Sequence, residues 1–307
     1  MQQAYHALKS KIDASINYSR PDPRGGLVEA RFVRRVEERF IVYISSMLGC
    51  DKACRFCHLT QTGQTNSTLL SEDEMMEQAR TVISSSDFAG ADTVHFNFMA
   101  RGEPMSNPSV GRSLFAKLGR LAEEYGLKAR IKVSTILPED VWTNDPADLW
   151  AEGCPPVDLY YSLYSVDENW RRRWIPKAVR PEAAMEWLAR YQSLTGQRVV
   201  LHWALIEGEN DGRDDALAAA ALASSAGLRT EFNLVRYNPA NEKSREASEA
   251  VIQTYLESIG RVVPGRIRMI PRVGPDVRAT CGTFLSDPEL SSGRHAPRRA
   301  EMEFEGR

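Results

Sequence analysis

Strand-like and helix-like segments alternate six times along the middle of this chain, and this order constrains the fold more than any other feature. The strand-like segments are apolar and rich in β-branched residues, and helical spacing of apolar residues lies between them. They are RFIVYISS (39–46), TVHFNFM (93–99), RIKVST (130–135), VDLYYSL (157–163), VVLHWALI (199–206) and TEFNLVR (230–236). Six such units predict an α/β fold with a parallel sheet covered by helices, either an open doubly wound sheet or a partial barrel. In both folds, ligands bind beyond the carboxyl ends of the strands.

The same patterns suggest where the domain begins and ends. Residues 1–26 are predicted to form a short N-terminal helix and a linker, because the segment NYSRPDPRGG is rich in turn formers. Residues 27–285 are expected to form the barrel with a C-terminal catalytic loop. Residues 286–307 have no apolar period and are predicted to be a flexible tail. Within the barrel, Ser71 and Glu74 have the spacing of a helix capping box, and Gly227 is placed to end a helix.

Composition excludes several classes of protein. Of the 307 residues, 42% are hydrophobic and 26% are charged, which is typical of a globular chain and not of a disordered or collagen-like one. There is no apolar run long enough for a transmembrane helix, and lysines interrupt the N-terminal segment that a secretory signal would need, so we expect a cytoplasmic protein. The net charge of -2 argues against a broad basic face, so a nucleic acid would have to bind at a local patch.

Three of the five cysteines lie within eight residues, directly after the first predicted strand. Cys50, Cys54 and Cys57 have the spacing C-x3-C-x2-C, which allows one short loop to bind three irons of a [4Fe–4S] cluster and leaves the fourth iron open for a ligand. Zinc bound through Cys57 and His58 is the alternative, but structural zinc sites use two separated ligand pairs and no second pair is present. An odd number of cysteines without a signal sequence also favours a reducing compartment over a disulfide framework.

The cysteine spacing, with Phe56 before the last cysteine, resembles the signature of radical S-adenosylmethionine (SAM) enzymes. The resemblance implies a partial (β/α)6 barrel, in agreement with the six units counted above. It also implies that the open iron holds the amino and carboxylate groups of SAM. An electron from an external donor of flavodoxin or ferredoxin type would then cleave SAM to methionine and a 5′-deoxyadenosyl radical.

Further motifs resemble those of the RlmN/Cfr family of radical SAM methyltransferases, which act on adenine of ribosomal RNA or tRNA. The ordered matches are SSMLGC (45–50), MARGEP (99–104), Ser134-Thr135, Ser162-Leu163-Tyr164, Asn210-Asp211, the segment 233–239 and GPDVRATCG (274–282). By this resemblance, Gly102 allows the backbone to approach SAM and Glu103 accepts hydrogen bonds from the SAM amino group. Ser134, Ser162 and Asn238 would hold the ribose and carboxylate, with Leu163 and Tyr164 beside them. Each serine or asparagine could equally be only a turn residue.

Cys281 matches the family cysteine that carries the methyl group. In the family, one SAM methylates this cysteine, and a second SAM yields the radical that removes a hydrogen atom from the methyl group. The carbon radical then adds to an adenine ring. The alternative for a lone cysteine is a buried free thiol. An RNA or a smaller nucleotide is the expected substrate.

The chain departs from the family pattern at Tyr43, where the family has a second catalytic cysteine that resolves the crosslink to RNA. A phenol titrates near pH 10 and cannot form a disulfide, so Tyr43 could at most move a proton. Glu29 resembles a family carboxylate proposed as a proton acceptor, although a surface glutamate would look the same. Cys154, the remaining thiol, precedes the fourth strand and is interpreted as structural.

Two further observations concern the substrate. Only about two dozen residues precede the family match, where the family has a helical RNA-binding domain, and this weakens the expectation of a large structured RNA. The segment NWRRRW (169–174) interleaves aromatic rings with cations, as single-strand binders do, or is a solvated helix face. Two other functions stay open: a diverged radical SAM enzyme acting on a small molecule or peptide, and a non-catalytic cluster-bearing RNA-binding or sensor protein.

Overall fold

All the strands of the computed structural model, which describes residues 4–140, 145–263 and 265–286, belong to one sheet in which they follow each other in chain order. The strands are β1 (His6–Lys9), β2 (Ile16–Pro21), β3 (Leu27–Val36), β4 (Arg39–Tyr43), β5 (Thr93–Phe98), β6 (Lys128–Thr135), β7 (Val157–Tyr161), β8 (Val199–Ala204), β9 (Thr230–Val235) and β10 (Ile267–Ile270). The α-helices are α1 (His58–Gln61), α2 (Glu72–Ser85), α3 (Arg112–Glu124), α4 (Glu168–Trp174), α5 (Pro181–Thr195), α6 (Arg213–Ser225) and α7 (Glu249–Gly260), and short 3-10 helices cover Pro104–Ser106, Pro146–Leu149 and Pro275–Val277.

The parallel half of the sheet runs from β4 to β10. The six predicted strands coincide with β4 to β9, and β10 adds a seventh strand that the sequence pattern does not reveal. The order never reverses, so the sheet has no switch point of the doubly wound kind. Residues from β4 to β10 line one interior cavity and the sheet has edges at β1 and β10, so it forms the predicted partial barrel.

Successive residues of the barrel strands face opposite sides of the sheet. One side packs against the helices and forms the hydrophobic core, and the other faces the inside of the barrel. In β5, Val94 and Phe96 are fully buried and Phe98 is 1% exposed on the helix-covered side, where the Phe98 ring centroid lies 5.9 Å from that of Phe115 in α3. His95 and Asn97, between them, line a cavity inside the barrel. Period-two alternation therefore places apolar side chains in the core and polar ones around the interior.

Local signals set the helix ends as predicted. The Ser71 hydroxyl accepts a hydrogen bond from the backbone N–H of Glu74 at the start of α2, and the Glu74 carboxylate accepts one from the backbone N–H of Ser71. Gly227 follows α6 with a φ of 67°, a left-handed conformation that glycine adopts without strain. Within the described ranges, no helix is long and apolar enough to cross a membrane.

The predicted N-terminal helix and linker are wrong for the described part of residues 1–26. The strands β1 and β2 lie there instead, and β1 to β4 form an antiparallel extension of the barrel sheet. Tyr18 and Arg20 are buried where β2 pairs with β3, so tertiary pairing outweighs the turn propensity of this segment. The predicted tail lies, beyond residue 286, outside the described residues.

The strand β2 and the turn between β1 and β2 form hydrogen bonds with the loop that follows β10. The Ser10 hydroxyl donates to the Asp276 carboxylate at 2.7 Å, and the backbone N–H of Gly274 donates to the Asp13 carboxylate at 2.8 Å. The Asn17 side-chain amide donates to the Val277 carbonyl at 2.9 Å. The loop that carries Cys281 is therefore tied to the first strands of the chain.

Candidate active site

Residues from the predicted site motifs line one cavity beyond the carboxyl ends of the strands, which we call the cysteine cavity. Its lining includes Cys50, Cys54, Cys57, Gly102, Glu103, Ser134, Ser162, Tyr164, Asn238 and Cys281. A second cavity of about 620 Å³, the barrel cavity, occupies the barrel interior. Met99, His202, Val235, Arg236, Asn238 and Cys281 line both cavities. Cys281 therefore lies where the two cavities meet.

The three clustered cysteines lie on the loop between β4 and α1. The backbone N–H of Cys50 donates to the Gln64 carbonyl at 3.1 Å, and that of Cys57 donates to the Cys54 carbonyl at 3.1 Å. A Cβ atom on Gly49 would lie 2.5 Å from the Gln64 carbonyl oxygen, so this close approach requires glycine. Burial raises the pKa of the Cys50 thiol to about 12, and burial also raises the pKa of Cys54 and Cys57.

The donor set fits an iron–sulfur cluster. Three thiols line one cavity, and thiolate is the ligand that such clusters prefer. Within the described ranges, no three His, Cys, Asp or Glu side chains are placed to hold a single metal ion. Burial raises the thiol pKa values more than the nearby backbone N–H groups and guanidiniums lower them, and a bound cationic centre would favour the thiolates.

Gly102 and Glu103 form the side of the cysteine cavity that follows β5. Gly102 has a φ of 98°, and a Cβ atom there would lie 2.7 Å from the Ser46 hydroxyl oxygen. Glu103 is 5% exposed and accepts hydrogen bonds from the backbone N–H groups of Met105 at 3.1 Å and Ile136 at 3.2 Å. Burial outweighs these hydrogen bonds and raises the pKa of Glu103 to about 7.

The other predicted cofactor residues divide into two groups. Ser134, Ser162 and Tyr164 line the cysteine cavity, and the buried hydroxyl oxygen of Ser134 has no hydrogen-bond partner among the described residues. Leu163 is fully buried and is not among the cavity-lining residues; its carbonyl accepts a hydrogen bond from Arg171 at 2.7 Å. The Asn238 side chain is already engaged within the chain: its amide donates to the carbonyls of Arg236 and Cys281, and its oxygen accepts from Arg272.

The backbone around Cys281 is held by both neighbouring loops. The Asn238 side-chain amide donates to the Cys281 carbonyl at 2.9 Å, and the backbone N–H of His58 donates to the Gly282 carbonyl at 3.1 Å. The Cys281 sulfur lies 3.8 Å from the thioether sulfur of Met99. Burial raises the pKa of the Cys281 thiol to about 11, although the nearby Arg31 guanidinium lowers it.

A buried ionic network supports the same loop. Glu29 is fully buried and accepts hydrogen bonds from Arg31 at 2.8 Å, Arg101 at 2.9 Å and the Asn17 amide at 2.8 Å. Arg31 also donates to the carbonyls of Thr280 and Thr283, and Arg101 donates to that of Leu285. Burial raises the pKa of Glu29, but the two guanidiniums outweigh burial and the pKa is lowered overall. Glu29 is therefore an ionised residue occupied by donors, and it lines neither cavity.

Sequence reasoning missed the roles of Arg31 and Arg101. The usable signal is the pair of charged residues in the otherwise apolar run LVEARFV, since charges in such a run are buried only when paired. Arg101, the other partner of Glu29, is 72 residues away in the chain, so the spacing of charged residues could not identify it.

Tyr43 and Cys281 both line the barrel cavity. Burial raises the pKa of the Tyr43 phenol, the positive charge of Arg35 lowers it, and the Cys281 thiol raises it further. Tyr43 therefore lies on the same cavity as Cys281, the candidate methyl carrier.

The NWRRRW segment does not present free aromatic rings. Trp170 is 3% exposed and stacks between Tyr164 and Trp174, with ring centroids 5.8 and 5.5 Å away. Tyr164 in turn stacks on Phe56 of the cysteine loop, with centroids 4.1 Å apart. The interpretation of this segment as a stacking platform for bases is therefore corrected: its tryptophans pack the wall behind the cysteine loop. Arg171 is buried among carbonyl groups as well.

Comparisons with known proteins agree with this geometry. No protein-family model matches the chain. A probable dual-specificity RNA methyltransferase RlmN of Frankia alni is 33% identical over 277 residues, covering 86% of this chain and 63% of that protein. Relatives with the same name are 31% identical in Parafrankia, covering 84% of this chain and 68% of that protein, and 29% identical in Thermus thermophilus, covering 88% and 74%. The chain thus spans about two thirds or less of the Frankia and Parafrankia relatives.

A solved structure shares the fold. The crystal structure of a radical SAM methyltransferase from Sphaerobacter thermophilus superposes with a TM-score of 0.70 at 19% identity and covers 91% of this chain and 79% of that one. At this identity the likeness concerns the fold.

Proposed function

The chain belongs to the family of its relatives, the dual-specificity RNA methyltransferases RlmN, and on that premise we propose that it is a radical SAM methyltransferase with Cys281 as its methyl carrier. The acceptor is an sp2 carbon of an adenine-type ring, in RNA or in a smaller nucleotide. One observation carries the proposal: Cys281 and the three clustered cysteines line the same cavity.

Cys50, Cys54 and Cys57 are the residues that would hold the [4Fe–4S] cluster, and Gly102, Glu103, Ser134 and Ser162 would hold SAM. When bound, these groups supply the methyl group and the 5′-deoxyadenosyl radical, with electrons from an external flavodoxin- or ferredoxin-type donor. Glu103 accepts two backbone hydrogen bonds and presents its carboxylate to the cavity, so it can accept further donors from an ammonium group. The unpartnered Ser134 hydroxyl is free to bind a polar ligand group.

Hydrogen bonds from two sides fix the position of the loop around Cys281. Asn238 and His58 fix its backbone from one side, and Arg31 and Arg101 fix it from the other. A thiol held at the junction of the two cavities can face the cofactor on one side and an acceptor on the other. The raised pKa of Cys281 keeps it largely a thiol at neutral pH, so a bound cation is needed to favour the thiolate.

We assign Glu29 a positioning role in place of proton acceptance. Its oxygens accept hydrogen bonds from Asn17, Arg31 and Arg101, and a carboxylate held ionised by two guanidiniums is a poor general base. Its effect on the reaction passes through Arg31 and Arg101 to the Cys281 loop.

Tyr43 requires a release step that differs from the family's. The phenol faces the barrel cavity together with Cys281, and its raised pKa keeps it protonated at neutral pH. We infer that product release uses no disulfide with residue 43 and that the Tyr43 hydroxyl holds or moves a proton.

The function is tested by reconstituting the cluster anaerobically, reducing it, and adding SAM. We expect 5′-deoxyadenosine to form and mass spectrometry to find a methyl group on Cys281 of the purified protein. If no 5′-deoxyadenosine forms with a full complement of iron, the chain is a non-catalytic cluster protein. If 5′-deoxyadenosine forms while Cys281 stays unmethylated and Cys281→Ala keeps full activity, the chain is a diverged radical SAM enzyme without a methyl carrier.

A further inference from the structure

The barrel cavity is lined by cations. Its volume of about 620 Å³ lies within the range of small-molecule sites, roughly 300–1,000 Å³. The charged residues that line it are Arg35, Arg39, Arg130, Lys132, Arg198, Arg236, Arg266, Arg268 and Arg272. No aspartate or glutamate is among the described lining residues. The barrel cavity is therefore strongly positive, although the net charge of the whole chain is -2.

Carboxylates on the same inward face of the strands neutralise part of this charge. Asp158 pairs with both Arg130 and Arg198 at 2.8 Å, and Glu231 pairs with Arg268 at 2.6 Å. In the described part of the chain, by contrast, no carboxylate lies within 4.0 Å of the cationic groups of Arg35, Arg39, Lys132 or Arg266, a set that we call the unpaired cations. Arg35, Arg39 and Arg266 carry full charges and repel each other, whereas burial lowers the pKa of Lys132 to about 7, so this lysine is only partly charged at neutral pH. A bound anion would relieve the repulsion and favour the charged form of Lys132.

Buried polar atoms in the same cavity also have no partners. His202 is 7% exposed and neither of its ring nitrogens has a hydrogen-bond partner among the described residues. Asn97 is 4% exposed and its side-chain oxygen is unpartnered in the same sense. Burial holds the pKa of His202 at about 3, so its ring is neutral and offers one donor and one acceptor. Buried polar groups are normally hydrogen-bonded, so these atoms indicate a polar ligand between the layers of the barrel.

The strand register orders these groups along the barrel. Tyr43, Asn97 and Lys132 are paired residues of β4, β5 and β6 and form one layer. Ser134, two residues further along β6, lies at the cofactor end, and Arg130 lies two residues nearer the strand start. Four residues of a strand span about 13 Å. The level of Arg130 and the cofactor end of β6 are thus separated by a length comparable to a ring that carries a phosphate arm.

We propose that the acceptor is a free nucleotide-like small molecule that enters the barrel whole, with its ring beside Cys281 and its phosphate among the unpaired cations. This inference rests on the proposed function, because it places the acceptor ring at the methyl carrier. Arg39 and Arg266 are exposed at the strand-start end of the cavity and would meet the phosphate first. Lys132, one layer deeper, would hold it by a charge-assisted hydrogen bond.

A polymeric RNA is the competing occupant. A long RNA could place only a nucleotide turned out of the chain among these side chains, and its other phosphates would need cations along an outer face, whereas Lys132, Arg130 and Arg198 line the inside of the barrel. The inward direction of these side chains therefore favours a ligand that is enclosed by the strands.

The experiment measures binding to the reconstituted holoenzyme by isothermal titration calorimetry. The probes are the four 5′-ribonucleoside monophosphates, the four matching nucleosides and a 20-nucleotide single-stranded RNA of mixed sequence. At least one monophosphate is expected to bind about tenfold or more tightly than its nucleoside, because a charge-assisted hydrogen bond is gained. Lys132→Gln and Arg266→Gln should remove most of this preference. Arg120→Gln, an exposed change on the outer surface of α3, should leave it intact.

Several outcomes would overturn the inference. Equal binding of monophosphates and nucleosides, or an unchanged preference in both cavity variants when circular dichroism shows that they are folded, contradicts a phosphate site. RNA that binds more tightly than every monophosphate and is not displaced by them assigns the cavity to an RNA segment. Parallel assays of 5′-deoxyadenosine and methylated Cys281 separate this result from the proposed function, since either can succeed while the other fails.

Discussion

The backbone N–H of His58 donates a hydrogen bond to the carbonyl of Gly282 at 3.1 Å. His58 directly follows the last of the three clustered cysteines, and Gly282 directly follows the candidate methyl carrier. The two loops that must act together are therefore joined by main-chain contact, and side-chain substitutions at either position leave this contact in place.

Cys281→Ala should abolish methyl transfer to any acceptor while 5′-deoxyadenosine formation persists. The cofactor residues are untouched by the change, and only the carrier sulfur is lost. Labelled SAM and product chromatography measure both quantities. Cys154→Ala is the matched control: its thiol lies on the turn before β7, 3.7 Å from the Arg112 carbonyl, and its removal should change neither. Methyl transfer by Cys281→Ala at the wild-type rate would refute the carrier role.

Tyr43→Phe should leave methylation of Cys281 intact and slow the formation of free product. The ring still fills its place in the barrel wall, but the hydroxyl that holds a proton is gone. Single-turnover assays that follow the methyl label from Cys281 to product measure this step. Tyr43→Cys, which restores the family residue, should change the yield of protein–acceptor crosslink. If both variants release product at the wild-type rate, Tyr43 has no part in release.

Glu29→Gln should destabilise the protein by about 3 kcal/mol, because it leaves the buried guanidiniums of Arg31 and Arg101 without their carboxylate. Urea unfolding at pH 7 measures the free energy of unfolding. The lowered pKa of Glu29 means that its stabilising contribution is present above the unfolded pKa and is lost as the pH falls through the folded value. The difference between wild type and variant should therefore shrink in acid, and a difference that grows there would be inconsistent with the ionic network.

Gly102→Ala should weaken SAM binding more than about tenfold, because the new Cβ atom would collide with Ser46 and Met47 and move the cavity wall. Gly153→Ala is the control for backbone strain alone: its φ of 86° is similarly unfavourable, but nothing lies within 4 Å of a Cβ atom there. Both variants should lose about 1–3 kcal/mol of stability. Equilibrium dialysis with SAM separates them, and equal SAM affinity would show that the close approach at Gly102 is dispensable.

Lys132→Met should stabilise the ligand-free protein at pH 7 and less so at pH 10. Burial lowers the pKa of Lys132 to about 7, with neighbouring Arg198 and Arg39 adding to the effect. The unfolded chain therefore binds a proton that the folded chain lacks between about pH 7 and the ordinary lysine value. Wild-type stability should fall as the pH drops through this window and level off below it. Denaturant unfolding from pH 7 to pH 10 should show a flatter profile for Lys132→Met, and parallel profiles would contradict the shifted pKa.

Much of the barrel could be predicted from the sequence. The strands β4 to β9 stand out because they are apolar on the helix-covered face, and the motifs after them converge because parallel strands end at one edge. The strands β2 and β3 escape prediction because Asn17, Glu29 and Arg31 interrupt the apolar pattern, and only their mutual hydrogen bonds allow burial. β10 escapes because it is short and none of its residues is fully buried.

Most of the candidate site residues predicted from motifs line one of the two cavities, but Leu163 and Glu29 line neither, and the electrostatics of the site could not be predicted. Cys281 and the clustered cysteines could be identified because each sits in a motif with its own spacing. The cations of the barrel cavity have no such motif, since Arg39 and Lys132 come from different strands, Arg266 directly precedes β10, and the three line one cavity only because of the fold. The burial of Trp170 likewise depends on Tyr164, from a separate loop.

The ties between the first strands and the Cys281 loop also constrain the order of folding. Ser10 and Asp276 are 266 positions apart in the chain, and Asp13 and Gly274 are 261 apart. A contact with so large a sequence separation forms late, because the intervening chain must first become compact. During synthesis, a barrel whose chain has emerged only as far as β9 would have its cysteine loop but not its methyl carrier. The candidate site is therefore complete only after the loop that follows β10 has bound to the turn between β1 and β2.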